Sequence, residues 1–470
     1  MEWFAAPDYW WSRLVFQRGL ALLYLVAFLV TLNQFRALIG ERGLTPVPRF
    51  LARTSGRRHP SLFRLHYSDR LLACVALAGV VLSAATALGL TDLLPTWAGT
   101  AVWVLLWAAY LSIVNVGQVW YGFGWETLLL ETGFLAVFLG NDDVAPPLPV
   151  LWLLAWLLFR VEFGAGLIKI RGDRCWRDLT CLDYHHETQP MPGPLSRFFH
   201  TRPRWVHRAE TAANHVTQLV VPFALFLPQP VATVAGLVVL ATQAWLVISG
   251  NFSWLNALTM LLAVPVLDPS GVLGDGPARP VPPWFAGAGI AVTVLVVALS
   301  VRPALNLVSG RQLMNASFDP LRLVNTYGAF GSVTRTRYEI VVEGTREGAP
   351  GPDTVWREYG FRGKPDDPAR RPPQIAPYHL RLDWMMWFAA LSPSMAEPWF
   401  RRFVDKLLAA DRPTLALLRH DPFDGEPPAW VRARLFRYRF ADDGEHAETG
   451  ATWVRTPVTE FLPPVPARDG

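Results

Sequence analysis

The sequence predicts a polytopic α-helical membrane protein with about nine spans and a C-terminal soluble α+β domain. Hydrophobic residues make up 51% of the 470 residues and charged residues only 17%, whereas soluble proteins are about one quarter charged. Long apolar runs recur up to about residue 300, and charges become frequent from about Arg302. We therefore expect a transmembrane helical domain over 1–301 and a soluble domain over 302–470.

Nine segments approach the length of about 20 mostly apolar residues that a spanning helix needs. They are 14–32, 71–90, 97–116, 125–139, 148–168, 209–227, 231–249, 252–267 and 284–299. The segment 252–267 is short for a full crossing, and charged residues or prolines interrupt others, so eight or ten spans remain alternatives. No cleavable signal peptide is evident, and the first span is expected to act as the insertion signal.

The loop over 33–70 carries the strongest signal for orientation. It contains eight arginines against two acidic residues, Glu41 and Asp69. Loops this short and this basic usually stay in the cytoplasm. Such clusters beside apolar runs also account for the net charge of +5. Because no basic patch accompanies a recognisable binding motif, we expect no nucleic-acid partner.

The C-terminal part predicts a small α+β domain. Strands are expected at 332–342, 354–361, 432–440 and 452–461, and helices at 383–391 and 397–408. The first strand, SVTRTRYEIVV, alternates and is β-branched, and it is expected to form a hairpin with 325–330. Asp383 is expected to cap the first helix, and Pro398 stands near the start of the second.

The most chemically distinctive stretch is 164–194, GAGLIKIRGDRCWRDLTCLDYHHETQPMPGP, between two apolar runs. Reactive and titratable side chains are dense in it and sparse in the flanking runs. They are Asp173, Cys175, Asp178, Cys181, Asp183, His185, His186 and Glu187. Bulky apolar side chains stand between them, whereas a mobile linker would be rich in Gly and Ser. We therefore expect 172–194 to be ordered and packed on the membrane helices.

Several motifs resemble the lipase maturation factor family. IKIRGDRCWRDLTCLDYHHETQPMPGP at 168–194 resembles the family's signature loop, which we take here as 169–204. NTYGAFGSVTRTRYEIVVEGT at 325–345 and PYHLRLDWMMWFAAL at 377–391 are similar to two further family stretches, in the same order. HDPF, followed by PPAWVRARLFRYRF, fits the family's C-terminal part. These motifs are long and follow the family's order along the chain. Together they extend the resemblance over most of the chain.

The resemblance implies a chaperone-like maturation factor rather than an enzyme. It implies a role in lipid metabolism, in which the protein assists the folding and assembly of secreted lipases or similar hydrolases. Its expected partners are such a client and membrane lipids, and no cofactor is implied. Eukaryotic relatives reside in the endoplasmic reticulum membrane. The chain has only three lysines, and this arginine-rich, lysine-poor composition suits a bacterium, for which the plasma membrane is expected.

The two loop cysteines, Cys175 and Cys181, permit three interpretations. In an extracytoplasmic loop they can form a disulfide, and in a reducing compartment they remain thiols. With His185 or His186 they can also ligate a metal, because Cys and His bind zinc. Their C-x5-C-x3-H-H spacing is not a usual zinc pattern, so we expect no metal site. A disulfide is the favoured interpretation, and free thiols remain the alternative.

The candidates for acid–base chemistry are His185, His186, Glu187 and Asp178. A cluster of His and carboxylate side chains suits proton transfer near neutral pH. Alternatively these groups only hydrogen-bond a folded loop. The motifs assign no catalytic residue. The rival hypothesis is therefore a membrane enzyme that acts on a lipid-like substrate or cofactor through the loop at 172–194.

Four charged residues lie in or at the edge of predicted spans: Glu126, Glu131, Arg160 and Glu162. A charge at the centre of a bilayer costs about 2.5–3.5 kcal/mol on insertion scales. We therefore expect these side chains to face the bundle interior, with Arg160 paired to Glu126 or Glu131. They either line a polar cavity, as the enzyme hypothesis requires, or form an ion pair that fixes helix packing.

Two arguments about the orientation of the chain in the membrane disagree. If the loop at 33–70 is cytoplasmic, nine spans place the signature loop and the C-terminal domain in the cytoplasm as well. A factor for secreted lipases should instead present its client-handling domain to the outside or to the lumen. One miscounted helix reverses the first argument.

Overall fold

The computed structural model describes residues 2–276 and 279–467, and its membrane part contains sixteen α-helices in these residues. The helices are α1 (Trp10–Leu38), α2 (Val47–Arg53), α3 (Asp69–Ala87), α4 (Thr96–Val116), α5 (Gly124–Ala136), α6 (Leu148–Arg171), α7 (Arg174–Arg177), α8 (Leu182–Thr188), α9 (Ser196–His200), α10 (Arg204–Leu219), α11 (Val221–Ala224), α12 (Val231–Ser249), α13 (Leu255–Ala263), α14 (Ser270–Leu273), α15 (Pro283–Leu299) and α16 (Val301–Val308). Local sequence sets several of the starts. Ser68 caps α3 by accepting a hydrogen bond from Leu71 N, and Pro95 and Pro147 directly precede α4 and α6.

Six helical segments are long and apolar enough to cross a membrane. They are Pro7–Leu38, Asp69–Ala87, Thr96–Val116, Leu148–Arg171, Val231–Ser249 and Pro283–Val308. Each of them overlaps one of the predicted spans. A polytopic helical membrane domain is therefore confirmed, and the predicted count of nine is approximate.

The other three predicted spans are helical but shorter than a full crossing. The segment 125–139 reduces to the 13 residues of α5, which carries two buried glutamates. Pro222 follows the break between α10 and α11, and the segment 252–267 becomes the short apolar helix Leu255–Val266, which contains Pro265. Proline removes a backbone donor and interrupts a helix, so these runs are divided or shortened.

The helices connect two faces of the bundle. One, which we call the loop face, carries the basic loop over 39–66, the signature loop and the C-terminal domain. There Arg402 Nη1 donates a hydrogen bond of 2.8 Å to Leu44 O. On the opposite face, near the N-terminus, Trp10 Nε1 donates to Asp142 O at 2.8 Å. The basic loop, the signature loop and the C-terminal domain therefore lie on the same side of the helix bundle.

The C-terminal part is the predicted α+β domain. It contains β1 (Arg337–Thr345), β2 (Arg357–Glu358), α17 (Arg381–Leu391), α18 (Trp399–Leu408), α19 (Arg412–Leu415), β3 (Trp430–Phe440), α20 (Asp443–Thr449) and β4 (Trp453–Pro466). The strands form one antiparallel sheet in the order β2-β1-β3-β4. In its register Ile340 lies opposite Leu435, and Leu435 lies opposite Thr459.

The predicted hairpin of 325–330 with β1 is wrong. Strand β1 pairs with β2 and β3 instead, and 325–330 lies against the membrane helices. The physical reason is a buried carboxylate, because Glu131 Oε2 accepts hydrogen bonds from Asn325 N at 3.0 Å and from Asn325 Nδ2 at 2.8 Å. These bonds hold the segment against α5 rather than at a sheet edge.

One buried hydrophobic cluster runs through both parts of the chain. It includes Leu20 and Leu154 of the membrane helices as well as Trp384 and Phe403 of the C-terminal domain. The predicted division at residue 301 falls at the start of α16, and it stays a prediction. Because the core is shared, the C-terminal domain packs directly against the membrane helices.

Candidate functional site

The signature loop folds into two short helices, α7 and α8, joined by a tight turn. Asp173 caps α7 by accepting a hydrogen bond from Cys175 N at 3.1 Å. A disulfide joins Cys175 to Cys181 across the turn. Both sulfurs are buried with Trp176 and Val333 in a small separate core. The loop therefore has its own covalent and hydrophobic centre.

Three contacts fix this loop to the membrane helices. A ring nitrogen of His207 in α10 lies 2.8 Å from Asp183 Oδ1. A ring nitrogen of His215, also in α10, lies 3.0 Å from Trp176 O. Gln189 Nε2 donates to Ser249 O at the end of α12, at 3.0 Å. These contacts hold the loop over the ends of two helices.

A second set of contacts fixes the loop to the C-terminal domain. Both terminal nitrogens of Arg335 contact the carboxylate of Asp173 at 2.8 Å. The buried guanidinium of Arg337 donates to the backbone oxygens of Glu187 at 3.0 Å and of Pro190 at 3.1 Å. It also pairs with Glu339 at 2.5 Å. The loop thus lies between the membrane helices and the sheet.

The four acid–base candidates have different surroundings. Asp178 is 49% exposed and pairs with Arg174 on the surface. Glu187 accepts a hydrogen bond from Phe440 N at 2.8 Å, so its carboxylate is bound to the C-terminal domain. The ring of His185 stacks on Phe252, with 6.1 Å between ring centroids.

His186 lies only 1% exposed and has no hydrogen-bond partner on either ring nitrogen within 2–276 and 279–467. Burial and, to a smaller extent, the positive charge of Lys169 together lower the pKa of His185 to about 4. Burial also holds the pKa of His186 well below its usual range. Both imidazoles are therefore neutral at pH 7. In the part of the chain that the structure describes, neither ring is hydrogen-bonded to Glu187.

Arg160 and Glu131 form an ion pair that is almost completely buried. Arg160 Nη1 also donates to Asn325 O at 2.6 Å. Glu131 Oε2 accepts a further hydrogen bond from the hydroxyl of Tyr327 at 2.7 Å. The stretch at 325–327 therefore supplies polar contacts to both members of this pair.

Glu126 has a different cation, supplied by the C-terminal domain. Arg381 Nη1 lies 2.6 Å from Glu126 Oε1, and both side chains are fully buried. The hydroxyl of Tyr110 donates to the second carboxylate oxygen of Glu126. Sequence reasoning missed Arg381 and Asn325 as partners. Both lie in the motifs that carried the family resemblance, PYHLRLD and NTYGAFGS, and that was the available signal.

Glu162, the fourth intramembrane charge, lies in the wall of a cavity of about 780 Å³. Its carboxylate accepts hydrogen bonds from Gln243 at 2.6 Å and from Gln218 at 3.2 Å. His185 and His186 also line this cavity. The enzyme hypothesis placed Glu126, Glu131 and Arg160 in such a wall, but their ion pairs keep them away from it. Within the described residues, no group of three or more His, Cys, Asp or Glu side chains is arranged to hold a metal.

Comparison with known families assigns both parts of the chain. A model described as the lipase maturation factor transmembrane domain matches residues 11–273, and one described as the lipase maturation factor C-terminal domain matches residues 323–463. The chain belongs to the lipase maturation factor family. The resemblance read from the sequence motifs is thereby confirmed, and so is the integral membrane character of the protein.

Individual members of the lipase maturation factor family align over nearly the whole chain. Lipase maturation factor 1 of Bos taurus is 42% identical over 515 residues, which cover 99% of this chain and 90% of that protein. Lipase maturation factor 1 of Homo sapiens is 43% identical, with 97% and 88% covered. Lipase maturation factor 2 of Rattus norvegicus is 29% identical, with 97% and 83% covered. No solved structure matches the chain.

Proposed function

We propose that this protein is a membrane-embedded maturation factor that assists the folding or assembly of secreted lipases or similar hydrolases. The observation that carries the proposal is the continuous similarity, over 99% of the chain, to a protein named lipase maturation factor 1. Both the signature loop and the C-terminal domain fall within the aligned regions.

The contacts of the loop support a chaperone-like role over the enzyme alternative. Glu187, a candidate base, is hydrogen-bonded to the backbone of Phe440. Asp178 lies on the surface beside Arg174. Groups that must shuttle protons need access to a substrate and to each other. Here one side chain is bound to the C-terminal domain and the other lies on the surface. We infer that the loop presents a rigid surface to a client.

Loss of the Glu187 carboxylate is expected to reduce client maturation. We expect Glu187→Ala to lower the secreted activity of a co-expressed lipase about tenfold or more, because the loop loses its contact with β3. Asp178→Ala is the matched control, since it removes a carboxylate from the same loop without a buried contact. The measurement is lipase activity per amount of lipase protein, in cells that lack their own maturation factor.

Three comparisons make the outcome decisive. The level of each membrane variant is followed by immunoblot, and an unrelated secreted enzyme reports on general secretion. Co-purification of the lipase with the wild-type protein is expected, with less lipase retained by Glu187→Ala. Unchanged maturation by Glu187→Ala at a normal protein level would contradict the proposal for this loop.

We also propose that the loop face is extracytoplasmic. The disulfide between Cys175 and Cys181 supports this orientation, because disulfides persist in oxidising compartments. The basic loop lies on the same face, so the disulfide and the positive-inside rule make opposite demands. A covalent bond needs an oxidising environment, whereas the charge rule is a statistical bias. A lipase in the secretory route would also meet this face.

Labelling of single cysteines tests the orientation. In a Cys74→Ala background, we expect Ser55→Cys and Gly348→Cys to react with a membrane-impermeant maleimide in intact cells. Val272→Cys, on the opposite face, is expected to react only after permeabilisation. All three positions have exposed side chains or open space around them. The reverse pattern would place the loop face in the cytoplasm and contradict this orientation.

A further inference from the structure

Four imidazoles meet where the signature loop packs on the helices beside it. His185 and His186 lie on α8, His200 ends α9, and His207 lies on α10. We call these four residues the histidine cluster. The ring centroids of His186 and His207 are 5.9 Å apart, and those of His185 and His186 are also 5.9 Å apart. Because an ordinary imidazole changes its charge between pH 5 and 8, this junction can respond to pH.

His207 joins α10 to both neighbouring helices through hydrogen-bond acceptors. One ring nitrogen lies 2.8 Å from Asp183 Oδ1 of α8, and the other lies 3.0 Å from Phe199 O of α9. A carboxylate and a backbone carbonyl only accept hydrogen bonds. Both bonds therefore form together only when the ring carries a proton on each nitrogen, as an imidazolium does. The closed junction thus has a place for one imidazolium, at His207.

His200 also has a carboxylate as its partner. Its Nε2 lies 3.5 Å from Glu187 Oε2, and the same oxygen accepts the hydrogen bond from Phe440 N of β3. Burial lowers the pKa of His200, and the negative charge of Glu187 opposes part of that effect. A proton on His200 is therefore balanced locally, and it leaves the contact between α8 and β3 in place.

His186 differs from these two residues because it has no carboxylate partner. Its ring lies on that of Phe199, with 5.5 Å between the centroids, and among the described residues neither ring nitrogen makes a hydrogen bond. After burial, the groups that lower the pKa of His186 are the other three imidazoles of the cluster. A proton on His186 would be buried beside an imidazolium at His207, and like charges disfavour each other. The closed junction therefore accommodates only a neutral His186.

The other charged and titratable groups around the cluster already have partners. Besides Asp183 and Glu187 of α8 itself, they are Lys169 of α6, Glu210 and His215 of α10, and Arg337 and Glu339 of β1. Lys169 donates to two side-chain amides, and His215 lies 3.0 Å from Trp176 O. Trp245 Nε1 donates to Glu210 at 2.7 Å, and the two β1 residues pair with each other. Within this set of described residues, no carboxylate remains to balance a proton on His186.

We propose that the histidine cluster is a proton-operated latch for the signature loop. The latch is closed while His186 is neutral, and it opens in mild acid because His186 takes up a proton only when α8 moves away from α9 and α10. Opening also separates Glu187 from Phe440, so the loop is released from the C-terminal domain. The orientation proposed above exposes the latch to the pH outside the cytoplasm. Its opening is measured without any lipase, so failure of the latch is distinguishable from failure of the maturation role.

Acid weakens the closed latch because its central imidazole is neutral when buried. Burial holds the pKa of His186 well below its usual range, whereas an imidazole that opening exposes to water titrates near ~6.5. The stabilisation of the closed form is complete above that pH and is lost as the pH falls below it. From pH 7.5 to 5.5, one such imidazole raises the ratio of open to closed forms about tenfold. His185 acts in the same direction, and a proton that His207 holds in the closed form acts in the opposite one.

Amide hydrogen exchange of the full chain in nanodiscs tests the latch. Protection of peptides within 182–200 is measured at pH 7.5 and 5.5, relative to the exchange rate of unstructured peptides at the same pH. We expect the wild type to lose about tenfold more protection on acidification than His186→Phe, which keeps an aromatic ring beside Phe199 and does not titrate. His66→Phe is the matched control, because His66 is exposed in the basic loop, and it should lose as much protection as the wild type.

A second variant and a reference segment make the result decisive. His186→Gln also removes the titratable ring, and it is expected to behave as His186→Phe does. A thermal melt at pH 7.5 shows that each variant is folded before it is compared. Peptides from α17, which lies in the shared core, should keep their protection at both pH values.

Three results would overturn the latch. Equal acid responses in the wild type and in both His186 variants would mean that another group controls the loop. Unchanged protection of the wild type over 182–200 at pH 5.5 would mean that the loop stays closed in mild acid. An equal loss of protection in α17 would mean that acid unfolds the chain as a whole rather than the loop.

Discussion

Arg381→Leu is expected to lower the melting temperature of the detergent-solubilised protein sharply, and Glu126→Gln is expected to reverse most of that loss. The two side chains form a fully buried ion pair between the C-terminal domain and α5. Removing one member leaves a buried charge unpaired, which costs about 3–5 kcal/mol, whereas neutralising both members does not. The single change is therefore worse than the double change.

The second buried pair provides a test of specificity. Arg160 pairs with Glu131 and is also almost fully buried. We expect Glu131→Gln to rescue Arg160→Leu and not Arg381→Leu, and Glu126→Gln to rescue only Arg381→Leu. Rescue by the wrong glutamine would mean that the pairs are exchanged or shared. Arg439→Leu is the control, because its side chain and that of its partner Glu445 are 43% and 35% exposed, and solvent screens such a surface pair.

Arg337→Met is expected to release the signature loop from the sheet. Its guanidinium is buried, pairs with Glu339 and holds the backbone oxygens of Glu187 and Pro190. Hydrogen bonds to a charged group contribute about 1.5–3 kcal/mol each, and Glu339 would keep only Lys364 as a partner. We expect amide hydrogen exchange over 186–194 to rise by two orders of magnitude or more.

Arg335 is a matched control for this experiment. It stands two residues away on the same approach to β1 and contacts the same loop through Asp173, but its side chain is 44% exposed. Because solvent screens an exposed pair, we expect Arg335→Met to cost about 0.2–1 kcal/mol. Its exchange over 186–194 should stay close to that of the wild type. Equal effects at the two arginines would show that burial does not decide how firmly the loop is held.

The sequence predicts the parts of the fold that depend on local composition. Long apolar runs mark the six long helices because burial in a bilayer demands about 20 apolar residues in a row. The same criterion does not describe α5, because this helix has only 13 residues and carries two buried glutamates. The partners of these glutamates lie elsewhere in the chain. The four strands of the C-terminal domain overlap their predicted ranges, although β2 is much shorter and other strand ends differ by up to about five residues. The hairpin partner of β1 was not predicted, because Asn325 is held by Glu131 in a distant helix.

The candidate site was likewise predictable from the sequence only in part. Composition singled out the loop at 172–194, since its charged, sulfur-bearing and aromatic side chains stand out from the apolar runs beside it. The sequence identified Glu126 as a charge that needs a partner. It could not identify Arg381, because that residue is separated from Glu126 by 255 positions and no periodic pattern links them. The cavity could not be predicted either, because its wall is built by many separate segments spread between Gly122 and Phe388.

The pair of Glu126 and Arg381 also fixes an order of events during synthesis. The helix with the carboxylate leaves the ribosome 255 residues before its cation. At about 5–20 residues per second, the delay is roughly 13–50 s. Throughout that interval α5 holds an acidic group without its counter-ion, so the nascent membrane part is incomplete. Any product that stops before Arg381 therefore lacks the counter-ion of Glu126.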